Sequence, residues 1–413
     1  MSPNFPVISG DSHVNPQLTF WRDYLPLEYK ERAPRIVETD GGELLSFEGR
    51  QVRVNMLSSV AGTTPEKWQS MGNVKELLRQ SRPSGWDPEA RLADLDADGV
   101  WGEVLFGGGP LFADDPDLCL ATFGAYNRWL ADFCAHSERF AGLGYVPTWD
   151  PDLAVREAKN IAALGLRGIV IPNYPVARPA AGGGYAKLAG QSDIKMAWRA
   201  SNLTWNSPEF DPLWRTCIDL GLPVHYHLGP ALYPPGDQPP LMFSVSATMT
   251  KLWAAGPLVD MLFGGLFQRF PELTMVSAES GAGWAAFLLE YVDRSYARHK
   301  YHDNLRITER PSFYFHRNFK LGFLYDLTAM RERDIIGVDS LLWGSDFPHS
   351  DGTYPETRQA IDRHCESVPE DEARKIFGQN AADLYHIPLP LPTVSGVDAG
   401  AQLPDAAQDQ AFR

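Results

Sequence analysis

The strongest constraint on the fold is a regular alternation between short apolar segments and segments with helical periodicity. Near-continuous apolar runs separated by helices are typical of parallel strands that are buried on both faces. Eight strand-helix pairs in succession predict an α/β fold, a TIM (β/α)8 barrel, in which the residues after each strand form the active site. The eight apolar runs lie at residues 6–14, 101–108, 140–149, 168–174, 223–229, 273–280, 319–326 and 340–349.

Four helices are expected to begin at an Asp-Pro pair. The pairs lie at residues 87, 115, 150 and 211, and each precedes a helical pattern. Aspartate at the N-cap accepts a hydrogen bond from an unpaired backbone amide, and proline at the next position has the backbone angle that a first helical turn needs. We therefore place helix starts at all four pairs.

One barrel domain is expected over residues 1–387, with two long insertions and a tail. Residues 15–86 follow strand 1 and contain a small hairpin pattern, and residues 175–208 follow strand 4. Because both insertions follow a strand, we expect them to cover the mouth of the barrel. Residues 388–413, rich in proline and alanine, are expected to form a C-terminal arm or tail.

Composition and charge exclude several functional classes. The formal net charge of -15 would repel nucleic acid and anionic membranes. The chain shows no signal sequence and no apolar stretch of roughly 18 residues, so we expect a cytoplasmic protein with no membrane partner. The cysteines form no C-x-x-C pair, and we expect them to be reduced thiols rather than disulfides or zinc ligands. They are Cys119, Cys134, Cys217 and Cys365.

Polar side chains gather at the predicted carboxyl ends of four strands. In a strand, residues i and i+2 point to the same face, so side chains two positions apart aim together. Clustered imidazoles and carboxylates suit a divalent cation, Zn²⁺ first, with Mn²⁺ or Fe²⁺ as alternatives. Without a cation, three buried carboxylates would repel one another. The residues are Asp11 and His13 at strand 1, His225 and His227 at strand 5, Glu279 at strand 6, and Asp346 and His349 at strand 8.

Each of these residues also has an ordinary structural explanation. Asp11 and Asp346 could cap turns, and His13 could bond to the backbone. At least one of the two strand 5 histidines is expected to be a satisfied core residue, and Glu279 could pair with an arginine. Taken singly, each of these explanations outweighs a ligand role. Their coincidence at the strand ends of one barrel favours a metal site.

Several segments resemble the amidohydrolase superfamily, in the amidohydrolase-related (amidohydrolase 2) branch that is similar to aminocarboxymuconate-semialdehyde decarboxylase. They are "GDSHV", "LPVHYHLG", "SAESGAGWAAFLLEYVDR", "WGSDFPHSDGTYPE" and "ARKIFGQNAADLY". The resemblance implies a distorted TIM barrel, commonly dimeric or larger, with a divalent metal ion. Its ligand roles fall on Asp11, His13, His227 and Asp346. One ion is favoured and two are not excluded.

The strand 6 position departs from the family pattern. Many members have a histidine there, whereas this chain has Glu279. A carboxylate repels an anionic substrate and is better suited to bind metal or hold a proton, whereas a neutral imidazole can donate to a substrate carboxylate. Glu279 is therefore expected to be a further ligand or a proton carrier, and it weakens a direct transfer of the family's decarboxylase chemistry.

Three functions are compatible with these residues. The first is hydrolysis of an ester, thioester or amide of a bulky hydrophobic acid, by water whose pKa the cation lowers. Asp346 would take the water's proton, and His225 or His349 would help to polarise the carbonyl. The second is non-oxidative decarboxylation of an aromatic or unsaturated acid, in which Asp346 protonates the ring carbon. The third is a binding barrel without catalysis.

Aromatic residues near the predicted mouth suggest an apolar small-molecule substrate, a carboxylic acid derivative. Arg317, just before strand 7, is a candidate for binding a substrate carboxylate, although an ordinary ion pair is the simpler explanation. The candidate substrate-binding residues are Trp205, Tyr226, Tyr233, Trp253, Trp284 and Arg317.

Overall fold

The barrel has the eight parallel strands that the sequence predicts. A computed structural model describes residues 5–39, 42–52, 59–68, 81–175, 203–228 and 242–390 of the chain. The third strand is interrupted at Leu143, whose amide still donates to Leu105 O. The strands are β1 (Ile8–Val14), β2 (Gly102–Gly107), β3 (Phe140–Gly142 and Gly144–Tyr145), β4 (Ile169–Val170), β5 (Val224–His227), β6 (Met275–Ala278), β7 (Phe319–Phe323) and β8 (Leu341–Trp343).

Neighbouring strands pair in chain order, as a TIM barrel requires. β1, β2 and the first part of β3 form one parallel sheet, and the second part of β3 continues through β4 to β8 in another. The barrel closes just beyond the end of β8, where Asp346 N donates to Asp11 O at 2.9 Å and His13 N donates to Phe347 O at 2.7 Å. The closing contacts therefore involve the residues that the sequence predicts to bind metal.

The insertion after β1 contains a small antiparallel sheet, which confirms the predicted hairpin. Its strands are Arg35–Thr39, Gly42–Phe47 and Arg50–Val52. The hairpin turns at Glu48 and Gly49, both with positive φ, a conformation that suits a two-residue turn. Most of the predicted insertion at 175–208, and the tail from residue 391, lie outside the described residues.

Helices surround the barrel strands. Among the described residues, the helices of eight residues or more are Pro88–Asp98, Pro116–Cys134, Pro151–Ala163, Asp211–Asp219, Met242–Trp253, Ala255–Gly264, Trp284–His299, Pro311–Asn318 and Thr357–Cys365. Their apolar faces pack with the outer faces of the strands into one buried core that includes Trp214, Phe267 and Phe377. No helix among the described residues has the length and apolar character needed to cross a membrane.

Three of the four predicted Asp-Pro helix starts have the expected cap. Asp87, Asp115 and Asp150 each accept hydrogen bonds from two backbone amides of the first turn. The fourth differs because a 3₁₀ turn, Pro208–Phe210, runs directly into the helix. Asp211 is therefore the first residue of its helix rather than the cap, and its carboxylate accepts from Arg269 at 3.2 Å.

Candidate metal centre

The end of β1 presents two side chains to the mouth of the barrel. The register of β1 against β2 shifts between Ser9 and Ser12, and Asp11 and His13 both reach the same cluster of polar groups. Between them, Ser12 turns elsewhere, and its hydroxyl lies 3.0 Å from Ser9 Oγ and 3.1 Å from Ser345 Oγ. This serine network joins β1 to the segment after β8.

Glu279 and Asp346 follow β6 and β8 in a strained backbone conformation. Their φ angles are 51° and 53°, in the left-handed region that residues with a side chain seldom occupy. Such a conformation costs roughly 1–3 kcal/mol and is found mostly where a functional site needs it. Asp346 is held there by the backbone bonds of barrel closure, and Ser280, next to Glu279, donates to Gly322 O at 3.0 Å.

A glycine allows β8 to approach Asp11 closely. A Cβ added at Gly344 would lie 2.6 Å from Asp11 Cβ, which is closer than real Cβ contacts, and at a tight 3.1 Å from Asp11 N. Glycine is therefore required where the ends of β1 and β8 meet. The close approach brings Asp11 and Asp346 into one site.

Six of the predicted residues lie together in the structure. Asp11, His13, His227 and Glu279 form one group, and His13, Glu279, Asp346 and His349 form a second, each with its candidate ligand atoms within 4.8 Å of one another. The closest pairs of nitrogen and oxygen atoms are His349 Nδ1 to Asp346 Oδ1 at 2.8 Å, His13 Nε2 to Asp346 Oδ1 at 3.0 Å, His227 Nε2 to Asp11 Oδ1 at 3.3 Å, His13 Nε2 to Asp11 Oδ1 at 3.4 Å, and His227 Nε2 to Glu279 Oε2 at 3.6 Å.

The donor atoms of this cluster fit a divalent cation. Four of them are buried and form no hydrogen bond of good geometry: Asp11 Oδ2, His13 Nε2 and both carboxylate oxygens of Asp346. Ligands about 2.0–2.2 Å from one cation lie roughly 3–4 Å from each other, which is the separation seen in the cluster. Buried polar atoms without hydrogen bonds are rare in proteins, and a cation would satisfy these.

The clustered acids hold a proton on His227. Burial lowers the pKa of His227, but the carboxylates of Asp11, Glu279 and Asp346 outweigh it and raise that pKa to about 9. Burial lowers the pKa of His13 to about 4, helped by His349. In the absence of a cation, His227 is therefore protonated near neutral pH, whereas His13 is a neutral imidazole.

The remaining acids and His349 differ in protonation. Burial and the charge of Asp346 raise the pKa of Glu279 to about 7, although Lys251 and His227 act in the opposite direction. Burial alone would raise the pKa of Asp346, but His349 and His13 lower it well below its usual range. The pKa of His349 is raised by Asp346 against the effect of burial. Asp346 is thus a carboxylate, and its Oδ1 lies 2.8 Å from His349 Nδ1.

Lys251, which pairs with Glu279, is a residue of the site that the strand-end pattern does not predict. Its ammonium lies 2.6 Å from Glu279 Oε1 and 3.6 Å from Asp351 Oδ2. Lys251 lies on the helix Met242–Trp253 that follows β5, so it is at the barrel mouth for the same topological reason as the other residues. A search of the segments after each strand for a cation could have found it.

His225 lies in the core below the site, which corrects its predicted catalytic role. Its side chain is fully buried, with Nδ1 3.0 Å from Ile169 O and Nε2 2.8 Å from the Tyr385 hydroxyl. His225 does face the barrel interior like His227, but one layer deeper. Above it, the ring of Phe106 contacts His13 and His227 and forms the floor of the site, a role that the sequence analysis missed.

Three predicted substrate-binding residues have side chains that are hydrogen-bonded to other parts of the protein. Trp205 is fully buried and donates to Asn173 O. Tyr226 alternates with the inward-facing histidines of β5, so it points out of the barrel, where its hydroxyl donates to Ala254 O. Arg317 lies before β7, at the amino end of that strand, and donates to Asn318 and to Phe267 O.

The other three candidates have different outcomes. Trp253 is half-buried on the helix that also holds Lys251. Trp284 is half-buried at the start of the helix after β6, and its indole donates to Ser280 O at 2.9 Å. Tyr233 lies outside the described residues. A role in substrate binding stays a prediction for these three residues.

Two characterised relatives are decarboxylases. The chain is 22% identical over 290 residues to γ-resorcylate decarboxylase of Polaromonas, covering 63% of this chain and 75% of that protein. It is 24% identical over 217 residues to 2-amino-3-carboxymuconate-6-semialdehyde decarboxylase of Dictyostelium discoideum, covering 51% of this chain and about half, 52%, of that protein.

Solved structures share the fold. An amidohydrolase from Mycobacterium avium subsp. paratuberculosis matches 92% of this chain and 99% of its own, with a TM-score of 0.66 at 20% identity. Dihydroxybenzoic acid decarboxylase from Polaromonas, solved with bound manganese and an inhibitor, matches 92% of this chain and 97% of its own, with a TM-score of 0.59 at 18% identity.

The family assignment rests on the match to a family model. The model described as amidohydrolase, Amidohydro_2, matches residues 68–387, which include β2 to β8 and four of the six clustered residues, namely His227, Glu279, Asp346 and His349. Together with the barrel topology, this match identifies the chain as a member of the amidohydrolase family, amidohydrolase 2 branch.

Proposed function

We propose that this protein is a metal-dependent, non-oxidative decarboxylase of an aromatic carboxylic acid. The observation that carries the proposal is the cluster of buried donor atoms without hydrogen bonds at the ends of β1 and β8, beside His227. Both characterised relatives are decarboxylases, which favours this reaction over the hydrolysis that the sequence analysis puts first.

Asp11, His13, His227 and Asp346 would hold a single divalent cation. Two imidazoles and two carboxylates form a donor set that suits Mn²⁺, Zn²⁺ or Fe²⁺. The manganese in the related Polaromonas structure makes Mn²⁺ the first ion to test. Such an ion supplies charge that binds the substrate's carboxylate and stabilises negative charge developing on neighbouring oxygen.

Lys251 removes the objection that Glu279 raised against decarboxylation. An unpaired carboxylate at strand 6 would repel an anionic acid, but here Lys251 lies 2.6 Å from Glu279 Oε1 and the pair is close to neutral. Ammonium N–H groups of Lys251 that Glu279 does not use are available to an anionic substrate. The pair thus offers the donor that a strand 6 histidine would otherwise provide.

Asp346 and His349 are suited to deliver the proton that replaces the carboxylate. His349 Nδ1 lies 2.8 Å from Asp346 Oδ1, whose charge raises the pKa of His349 and so favours a proton there, and Asp346 faces the centre of the cluster. In the proposed step, a proton passes from His349 through Asp346 to the ring carbon that bears the carboxylate. The new C–H bond forms, the C–C bond breaks, its electron pair returns to the ring, and carbon dioxide leaves.

The proposal is tested by measuring carbon dioxide release. Protein reconstituted with Mn²⁺ is incubated with a panel of hydroxybenzoates and, in parallel, with aryl esters, thioesters and amides. We expect carbon dioxide from at least one hydroxybenzoate and a loss of at least about 10²-fold in kcat for D346N, which removes the proton carrier. Cleavage of the esters or amides without release of carbon dioxide would contradict the proposal in favour of hydrolysis.

A further inference from the structure

A fully buried ion pair lies beside the candidate metal centre. Arg91, on the helix Pro88–Asp98, and Glu103, on β2, both have no exposed side-chain surface. Arg91 Nε lies 2.6 Å from Glu103 Oε1, and Nη2 lies 2.9 Å from Glu103 Oε2, so the two groups form a bidentate pair. A buried charge pair seldom adds stability that apolar residues of the same size would not also provide. Its presence calls for another explanation.

The rest of the guanidinium binds the segments that present the candidate ligands. Nη1 donates to His13 O at 2.8 Å and to Ser84 O at 3.2 Å, and Nη2 donates to Phe347 O at 3.4 Å. With the two bonds to Glu103, these contacts use all five N–H donors of the arginine. His13 is itself a candidate ligand, and Phe347 directly follows Asp346.

Phe347 is fixed by a second contact with the same group. The guanidinium carbon of Arg91 lies 4.5 Å from the centroid of the Phe347 ring, within the range of a cation–π interaction. One side chain therefore holds the carbonyl of His13 and both the carbonyl and the ring of Phe347. These are the two segments whose backbones pair where the barrel closes.

We propose that Arg91, whose charge Glu103 balances, is a positioning residue that sets the distance between His13 and Asp346. The proposal rests on the cation site proposed above but not on the reaction. The carbonyl contacts restrict the backbone at the end of β1 and after β8. At this point His13 Nε2 lies 3.0 Å from Asp346 Oδ1. Outer groups that orient metal ligands typically change metal affinity by about 10–100-fold when they are replaced.

The test measures affinity for Mn²⁺ in the full-length protein, at a temperature at which each variant is folded by near-UV circular dichroism. The R91M/E103L variant keeps side-chain volume and leaves no buried charge, but it loses the bonds to His13 and Phe347. We expect its Mn²⁺ dissociation constant to rise about 10–100-fold. We also expect the electron paramagnetic resonance spectrum of the bound Mn²⁺ to change. An unchanged dissociation constant and spectrum would overturn the proposal.

Two further variants separate positioning from stability. E103Q weakens the ion pair but leaves Arg91 able to donate to His13 and Phe347, so we expect lower stability with Mn²⁺ affinity within about threefold of wild type. R333M/E372Q removes another ion pair, which bonds to neither ligand segment, and should not change the affinity. If the loss of Mn²⁺ affinity is proportional to the loss of thermal stability across all three variants, the positioning role of Arg91 is contradicted. Failure to release carbon dioxide with Mn²⁺ binding intact would count only against the proposed function.

Discussion

Three residues that follow barrel strands, Leu228, Glu279 and Asp346, have left-handed backbone conformations. Two of them are acids of the candidate centre, and the third directly follows His227. The strain at each position costs roughly 1–3 kcal/mol, and the surrounding sheet offsets it. The conformation turns the chain at the mouth, and the side chains of Glu279 and Asp346 both reach the candidate centre.

Replacing Lys251 tests whether it neutralises Glu279. K251M leaves the carboxylate without its cation and removes N–H donors from the mouth. We expect kcat/KM for an aromatic acid to fall about tenfold or more, mainly through KM, while Mn²⁺ content is retained. The measurement is steady-state kinetics with metal analysis. K251R should retain most of the activity, and K251M/E279Q should recover part of the loss; equal activity in K251M and wild type would contradict this role.

Replacing His225 tests its assignment to the core. H225Q breaks the bonds to Ile169 O and the Tyr385 hydroxyl in a fully buried layer. We expect the free energy of unfolding to fall by about 1–3 kcal/mol, whereas Mn²⁺ affinity and kcat stay the same. Urea denaturation and Mn²⁺ titration check the two parts. A variant of normal stability with lost turnover would restore the catalytic role that sequence favoured.

The polar residues that the sequence could identify are those that a strand end presents by itself. Asp11 and His13 are two residues apart on a strand, and Asp346 follows another, so chain geometry alone brings them to the mouth. His225 has the same two-residue spacing from His227, but this spacing does not show which layer of the barrel interior a residue occupies. Lys251 lies on a helix that follows a strand, so the sequence could have offered it as a candidate, but its pairing with Glu279, 28 residues away, depends on how that helix packs.

The meeting of β1 and β8 is the structural feature on which the site depends most. G344A would place a methyl group 2.6 Å from Asp11 Cβ and push the two strand ends apart. We expect Mn²⁺ affinity to fall by about tenfold or more, because the ligands are displaced. G108A is the matched control, since an added Cβ there has no neighbour within 4 Å. Isothermal titration with Mn²⁺ compares the two; equal affinities would show that the contact is not needed.

The elements of the barrel were largely predictable, and their irregularities were not. All eight strands lie within the predicted apolar runs, because a strand buried on both faces needs a continuous apolar segment. The break of β3 at Leu143 and the shortness of β4 depend on pairing with neighbours, which the local sequence does not specify. Asp211 has the right motif for a cap, but the preceding 3₁₀ turn already begins the helix.

The barrel of this protein encloses several acidic side chains at one end. We therefore expect the stability of the metal-free form to depend on pH. The folded pKa of His227, about 9, exceeds its usual value of 6.5. Its contribution to stability is therefore present below pH 6.5 and is lost as pH rises through 9. The pKa of Glu279 is also raised, from 4.5 to about 7, so its contribution to stability is lost as pH rises from 4.5 through 7.

We therefore expect the EDTA-treated protein to lose about 3 kcal/mol of unfolding free energy between pH 6.5 and pH 9 through His227. Urea denaturation at the two pH values measures the loss. H227Q, which has no proton to release at this position, should show a smaller decline. A metal-free protein that gains stability over this interval would contradict the charge distribution described for the site.

The central claim is that the strand-end cluster holds one divalent cation, and its most direct test is a Mn²⁺ titration of the EDTA-treated protein. We predict one tightly bound ion per chain, with release of a proton from His227 below pH 9 and tighter binding as pH rises toward 9. D11N and H227Q should each weaken binding by at least about tenfold. The absence of a bound ion, or an affinity that neither substitution changes, would contradict the account.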